Sequence, residues 1–193
     1  MTSLAKHFAT YDDILALPDN VVGEIVNGDL LVSPRPASPH TYTASVLGAD
    51  IGSPFFRGRG GPGGWVILVE PELHFGNDVL VPDFAGWRRE RMPHVPNVPY
   101  FTLAPDWVCE IVSPSTERYD RIAKMRAYAR AAVAHIWLVS PNDRTLEIYR
   151  LDADANWVLI RNFGSDAGDD IIRAEPFDAV ELQLSALWAP VSA

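Results

Sequence analysis

Asp83 and Glu110 are carboxylates set inside strongly apolar, strand-like runs, residues 79–87 and 106–112. Strand interiors exclude charge, and Asp or Glu is almost never fully buried unless something pairs with it. Two such residues on segments able to lie side by side, with Lys124 on the helical stretch that follows, read as a metal-dependent catalytic site. Phosphodiester cleavage needs a divalent cation to hold the phosphate, lower the pKa of an attacking water and stabilise the leaving oxygen. Mg²⁺ takes oxygen ligands, usually one or two carboxylates completed by water and substrate phosphate. Neighbouring strands about 4.8 Å apart can hold Asp83 and Glu110 on one face within reach of one Mg²⁺ or Mn²⁺. Lys124 would neutralise charge building on the phosphate or help position the water. Without metal the two carboxylates would repel each other and raise at least one pKa. Each residue also has a plainer reading. Asp83 follows a proline and could be a strand-end turn acid, Glu110 could pair with Arg121 or Arg126, and Lys124 alone could be a solvated helix lysine.

The elements that must position these residues are legible from pattern. Residues 106–112 form a nearly unbroken apolar strand of the kind covered on both faces. Thr116 can cap a helix running from 117 to 133. It carries one apolar stripe (Ile122, Met125, Ala129, Val133) and a second through Asp120, Lys124, Ala127, Tyr128 and Ala131. Residues 135–139 are another buried strand, so the order strand–helix–strand predicts a right-handed crossover and a parallel pair. Upstream, residues 65–69 are a strand that 70–75 extend past Pro71, and 79–87 are the strand returning from the turn at 76–78. Asn27-Gly28 between apolar runs predicts a hairpin over 21–32. Glu24 lies on its first strand, where alternation alone makes it solvent-facing. A short helix covers 10–17, and a second runs from Ser38 to about Gly52 with His40 in its first turn, read as a surface histidine. Residues 57–64, Arg-Gly-Arg-Gly-Gly-Pro-Gly-Gly, lack the Gly-Lys-Ser/Thr ending of a nucleotide loop. They read as a flexible connection, or as two arginines and exposed amides serving a phosphate backbone. Arg88, Arg89 and Arg91 read as a solvated loop placed where phosphate contact stays in play. Residues 93–105 are a proline-rich loop, and 145–150, 157–162 and 179–184 are antiparallel candidates.

The chain's 193 residues suit one domain, 1–193, with a substantial core. No apolar run approaches the roughly 20 residues that span a bilayer, and the first residues lack a signal-peptide core. Cys109 is the only cysteine, so no intrachain disulfide forms and it reads as a small buried side chain. These features predict a cytoplasmic protein. The net charge of −9 opposes generic nucleic-acid binding. However, residues 152–181 hold eight acids and two bases and so account for −6 of it. Aromatic residues (Trp87, Trp107, Trp137, Trp157, Trp188) and the proline-rich loop exceed what one small core needs, which predicts a two-fold homodimer.

The string Val81-Pro82-Asp83, Ala104-Pro105-Asp106, Glu110 through Thr116, Lys124, Tyr128 and Ile136 through Pro141 resembles the bacterial Uma-type family of restriction-endonuclease-like proteins in the PD-(D/E)xK nuclease superfamily. The resemblance runs from Tyr11 to about Tyr149, with 24–28 matching the family's early Glu-and-Gly element. It implies an α/β (α+β) fold: a restriction-endonuclease-like core with a central mixed β-sheet, flanking helices and antiparallel C-terminal strands. In the basic nuclease pattern the lysine lies two residues after the glutamate, where this chain has Val112. The resemblance implies that the lysine has moved to Lys124. It further implies that Asp83 and Glu110 bind metal, that Glu24 is an additional acid near the ion, and that Glu72 is a further ligand, although Pro71 blurs that strand's register. The leading reading is a metal-dependent endonuclease-like protein that hydrolyses phosphodiester bonds in DNA. The alternative is a non-catalytic binding or regulatory module retaining the nuclease fold, which the acidic charge and displaced lysine favour. Hydrolysis of some other ester at the same metal site is a third. A Ser–His–Asp triad has no Gly-x-Ser-x-Gly elbow to support it.

Overall fold

The computed structural model of the chain describes residues 8–114, 116–164 and 170–190. Ser115 of the motif string and Asp166 and Asp169, two of the eight acids counted in 152–181, lie outside them. A short helix α1 (Tyr11–Leu15) precedes the hairpin β1 (Val21–Val26) and β2 (Asp29–Pro34). Its turn residues Asn27 and Gly28 both have positive φ, 55° and 80°, the geometry that matches strand twist. Helix α2 (Ser38–Ile51) continues into a wider π turn, Gly52–Phe56. Strands β3 (Trp65–Val69), β4 (Leu73–Phe75), β5 (Asp78–Leu80), β6 (Phe84–Arg88) and β7 (Trp107–Ile111) follow.

Two expected continuous strands are each broken at a proline. The segment after β3 does not extend it: Glu70 turns the chain at φ 46°, and beyond Pro71 strand β4 joins another sheet. The returning strand likewise splits at Pro82, leaving β5 with the second sheet and β6 beside β3. Proline has no N–H to continue a ladder, so both breaks fall where the chain changes sheets. The second sheet is antiparallel in the order β2-β1-β5-β4. Asp83 sits in the link between the two sheets, one residue ahead of β6.

After β7 come α3 (Glu117–Tyr119), a π turn (Asp120–Lys124) and α4 (Met125–Arg130) rather than one helix to 133. Strands β8 (His135–Ser140), β9 (Thr145–Leu151) and β10 (Trp157–Gly164) complete a six-stranded mixed sheet, β10-β9-β8-β7-β6-β3. Its β7–β8 pair is parallel, Glu110 lying opposite Leu138, and the other pairs are antiparallel. The tail forms a small ladder of β11 (Ile171–Ile172) and β12 (Leu182–Gln183), shorter than the expected strand over 179–184.

Apolar cores cover both faces of the large sheet. On one, Leu47, Ile51 and Phe55 of α2 and its π turn pack with Trp107, Trp137 and Phe177. On the other, Met125 and Tyr128 pack with Val108, Trp87 and Ile136. Gly86 permits this density: a Cβ there would stand 3.1 Å from the Trp107 ring and 3.3 Å from that of Trp65. Trp87, Trp107, Trp137 and Trp188 are buried within one chain, so they supply no surplus for a dimer interface. Val95, Val98, Tyr100 and Leu103 of the proline-rich loop do remain exposed. Cys109 is fully buried, and burial pushes its thiol well up. Among the described residues, no helix is long and apolar enough to cross a membrane.

Candidate functional site

Antiparallel pairing places Phe84 opposite Cys109, so one step further Asp83 comes opposite Glu110, on the face carrying Ala85 and Val108. Asp83 is anchored there, its Oδ2 accepting the Ile111 amide at 2.6 Å. Glu110 points from β7 toward the π turn, where Lys124 Nζ donates to its two oxygens at 3.1 and 3.2 Å and the Tyr128 hydroxyl donates at 2.6 Å. The same ammonium lies 2.9 Å from Glu24 Oε1 and 3.5 Å from Asp120 Oδ1. Glu24 is held from β1 by the Val81 amide, 2.8 Å from its Oε1. The side chains of Glu24, Glu110, Asp120 and Lys124 are each no more than 9% exposed.

The π turn explains part of this convergence. Widening the turn at Asp120–Lys124 aims Asp120 and Lys124 together at the sheet, and such turns recur at functional sites. It also rotates Ile122, expected on the apolar stripe, out to 47% exposure. Glu24, Asp83, Glu110, Asp120 and Lys124 line one cavity of about 370 Å³, which opens past Glu70, Arg35 and the His40 end of α2.

Charge is out of balance in this cavity. Burial raises the pKa of Glu24, Glu110 and Asp120, with Lys124 opposing the shift and neighbouring carboxylates adding to it. Burial alone would push Lys124 down. The charges of Glu110, Glu24 and Asp120 outweigh that and hold its ammonium well above the usual lysine value. His40 donates across 2.9 Å to Asp83 Oδ1. Burial opposes protonation of His40, but its bond to Asp83 and that residue's charge prevail and raise its pKa.

Residues 8–185 match the family model of Uma2, described as "Putative restriction endonuclease". The chain belongs to the Uma2 family. An uncharacterized protein of Synechocystis sp., slr1290, is 36% identical over 67 residues, which are 34% of this chain and 35% of that one. The match thus spans about a third of that relative. A crystal structure from Anabaena variabilis, described as "a putative nuclease belonging to DUF820", superposes with a TM-score of 0.74 at 24% identity. It covers 93% of this chain and 97% of the other. The shared architecture is a mixed central sheet flanked by helices, with antiparallel strands.

Within this Uma2 fold, Asp83, Glu110, Lys124 and Glu24 come together. Glu72 stands outside the cavity, accepting from the Tyr11 hydroxyl at 2.8 Å and lying 2.7 Å from His74 Nε2. The reversal at Glu70 and Pro71 swaps the two glutamates, so Glu70 takes the cavity rim where Glu72 was expected. Glu24 is buried, contrary to simple alternation, because β1 is covered through its pairing with β5 at Ile25–Val79. Glu110 pairs with Lys124 rather than Arg121, which is bound bidentately to Glu147 at 2.6 and 2.9 Å. His40 and Asp120 were not read as site residues. The one sequence signal for Asp120 was its position four residues before Lys124 on the second stripe.

The donor set suits a hard divalent cation. Its atoms are carboxylate oxygens: Glu24, Glu110 and Asp120 face one lysine, and Asp83 faces His40, which adds charge only when protonated. Among the described residues, no three Asp, Glu, His or Cys side chains gather at ligand spacing. An ion here would therefore hold to two carboxylates and complete its shell with water and substrate oxygens, the usual habit of Mg²⁺.

Proposed function

We propose that this protein is a metal-dependent nuclease that hydrolyses phosphodiester bonds in DNA, with Asp83 and Glu110 holding Mg²⁺ or Mn²⁺. The observation that carries this reading is the buried surplus of carboxylates around Lys124, open to one cavity beside Asp83. When bound, the cation would supply Lewis acidity and an activated water. The chain's own residues prepare the rest. The Ile111 amide and His40 orient Asp83, while Tyr128 and Lys124 orient Glu110. Glu24 holds Lys124 from the far side. Lys124 stays protonated and so acts as a charge, set to offset negative charge gathering on phosphoryl oxygens, rather than as a base.

Calorimetric titration with Mg²⁺ and Mn²⁺ tests the site, alongside Mn²⁺-dependent plasmid nicking. Wild type is expected to bind and nick, and Asp83→Ala to lose both. Metal binding unchanged in Asp83→Ala would overturn the assignment. One observation favours the second reading, a non-catalytic module: both Glu110 oxygens are already engaged by Lys124 and Tyr128. A wild type that binds no metal and cuts no substrate would establish that module.

A further inference from the structure

A second groove, of about 410 Å³, lies further along α2 than His40, on the sheet face carrying Ile67 and Phe84 rather than the one toward which Asp83 turns. The acid site is reached from it around the strand ends where His40 meets Asp83. Val69 and Phe84, the chain neighbours of Glu70 and Asp83, line the groove with Gly52, Phe56, Arg57 and Arg59. Its charge is opposite to that of the acid site. Arg57 and Arg59 are exposed, and among the described residues neither meets a carboxylate. The other basic group is already engaged: Arg88 lies over the Trp65 ring, Arg89 donates to the Trp65 carbonyl and Arg91 pairs with Asp106.

The glycine-rich stretch that carries these arginines is a fixed platform, not a loose connection. The Arg57, Arg59 and Gly63 amides donate back to the Gly52, Ser53 and Pro54 carbonyls at 2.9–3.1 Å. Gly58 and Gly63 both have positive φ, and a Cβ on Gly63 would stand 3.4 Å from the Gly58 Cα. Only glycine gives that backbone at no steric cost. The platform holds two guanidinium groups beside Phe56, whose ring side chain is 38% exposed.

We propose that this groove binds an unpaired DNA strand whose scissile phosphate lies at the acid site, with Phe56 under a base and Arg57 and Arg59 on phosphates. The proposal rests on the nuclease reading above. Cationic grooves with aromatic rings hold single strands, because any unstacked base offers a face to the ring. A duplex keeps its bases stacked and offers none. Residue 48 lies eight positions beyond His40 on α2, roughly 12 Å along its axis. The duplex rise of about 3.4 Å per nucleotide is a lower bound for an unstacked strand, so the groove takes nucleotides within three or four steps of the cleavage point.

The test is fluorescence anisotropy with a labelled twelve-residue oligo-dT and a duplex of the same length, in EDTA, so that cleavage plays no part. The single strand is expected to bind tighter than the duplex. Arg57→Gln/Arg59→Gln should lower the slope of log K against log salt by about 1.4, two contacts at about 0.7 each. Phe56→Ala should weaken single-strand binding about ten-fold with its salt slope kept, and Phe56→Trp should restore it. Equal binding of strand and duplex, or an unchanged salt slope in the double variant, refutes the groove. Both arginines are exposed, so a native melting curve for that variant is expected and shows that the comparison is fair. Cleavage by wild type together with unaltered binding by the variants sinks the groove and spares the nuclease. Altered binding by the variants, with no cleavage by wild type, does the reverse.

Discussion

Lys124→Met is the most informative single change, because it removes one charge while keeping an unbranched side chain of similar length. The nitrogen lies 2.9 Å from Glu24, 3.1 and 3.2 Å from the Glu110 oxygens and 3.5 Å from Asp120. Taking one partner from a buried ion pair costs roughly 3–5 kcal/mol, because the remaining charge is left uncompensated. Here three buried carboxylates lose the same cation, so the upper part of that range, about 4–5 kcal/mol, is expected. For a chain of this size each kcal/mol moves the melting temperature by about 2–4 °C, which gives a fall of roughly 8–20 °C. Far-UV circular dichroism melts measure it. Adding Glu24→Gln and Glu110→Gln to the Lys124→Met background should recover more than half the loss, since the penalty is uncompensated charge rather than lost packing. In the single variant, at a temperature where its spectrum is native, Mn²⁺-dependent nicking should vanish while calorimetric metal binding survives. A melting temperature within about 3 °C of wild type, under 2 kcal/mol by the same conversion, would refute the reasoning about the buried cluster.

Two further outcomes follow from neighbouring geometry. Tyr128→Phe removes the hydroxyl 2.6 Å from Glu110 in a fully buried ring position. Hydrogen bonds to charged groups contribute about 1.5–3 kcal/mol, so the urea midpoint should fall by that equivalent, and an unmoved midpoint would contradict it. Burial raises the Glu147 carboxyl, but hydrogen bonds from Arg121 and Tyr149 outweigh it and hold the pKa below the ordinary 4.5. A depressed carboxylate contributes stability above its unfolded pKa and loses it as pH falls through the folded value. The stability gap between wild type and Glu147→Gln should therefore be constant above about pH 5 and narrow as pH falls below 4.5 in urea titrations. A gap that does not narrow at all from about pH 5 down to the lowest pH at which the chain stays folded would show that the Arg121 fork contributes nothing through charge.

Local chemistry made much of the site readable. Buried-strand patterning around Glu110 and Asp83 was visible because charge inside an apolar run is costly wherever the run packs. Asn27-Gly28 specified its hairpin through backbone freedom at two adjacent residues. The strand–helix–strand order around Glu110 specified the parallel β7–β8 pair, since parallel strands need a crossover. Lys124 stood out through its spacing on a helical stripe with Asp120 and Tyr128.

Tertiary structure decided what depended on distant partners. Glu24 is buried because β5, more than fifty residues later, pairs with β1, which no local alternation rule can foresee. His40 joins Asp83 because α2 packs with its first turn at the end of β6. The choice of Glu70 over Glu72 turned on the reversal before Pro71, and the aim of Asp120 turned on a π turn that helical periodicity does not describe. The sequence by itself determined which residues could not tolerate water-free isolation. Only the packed sheets decided which of them meet, because the contacts join segments distant in sequence, here three buried carboxylates from β1, β7 and the π turn around one lysine.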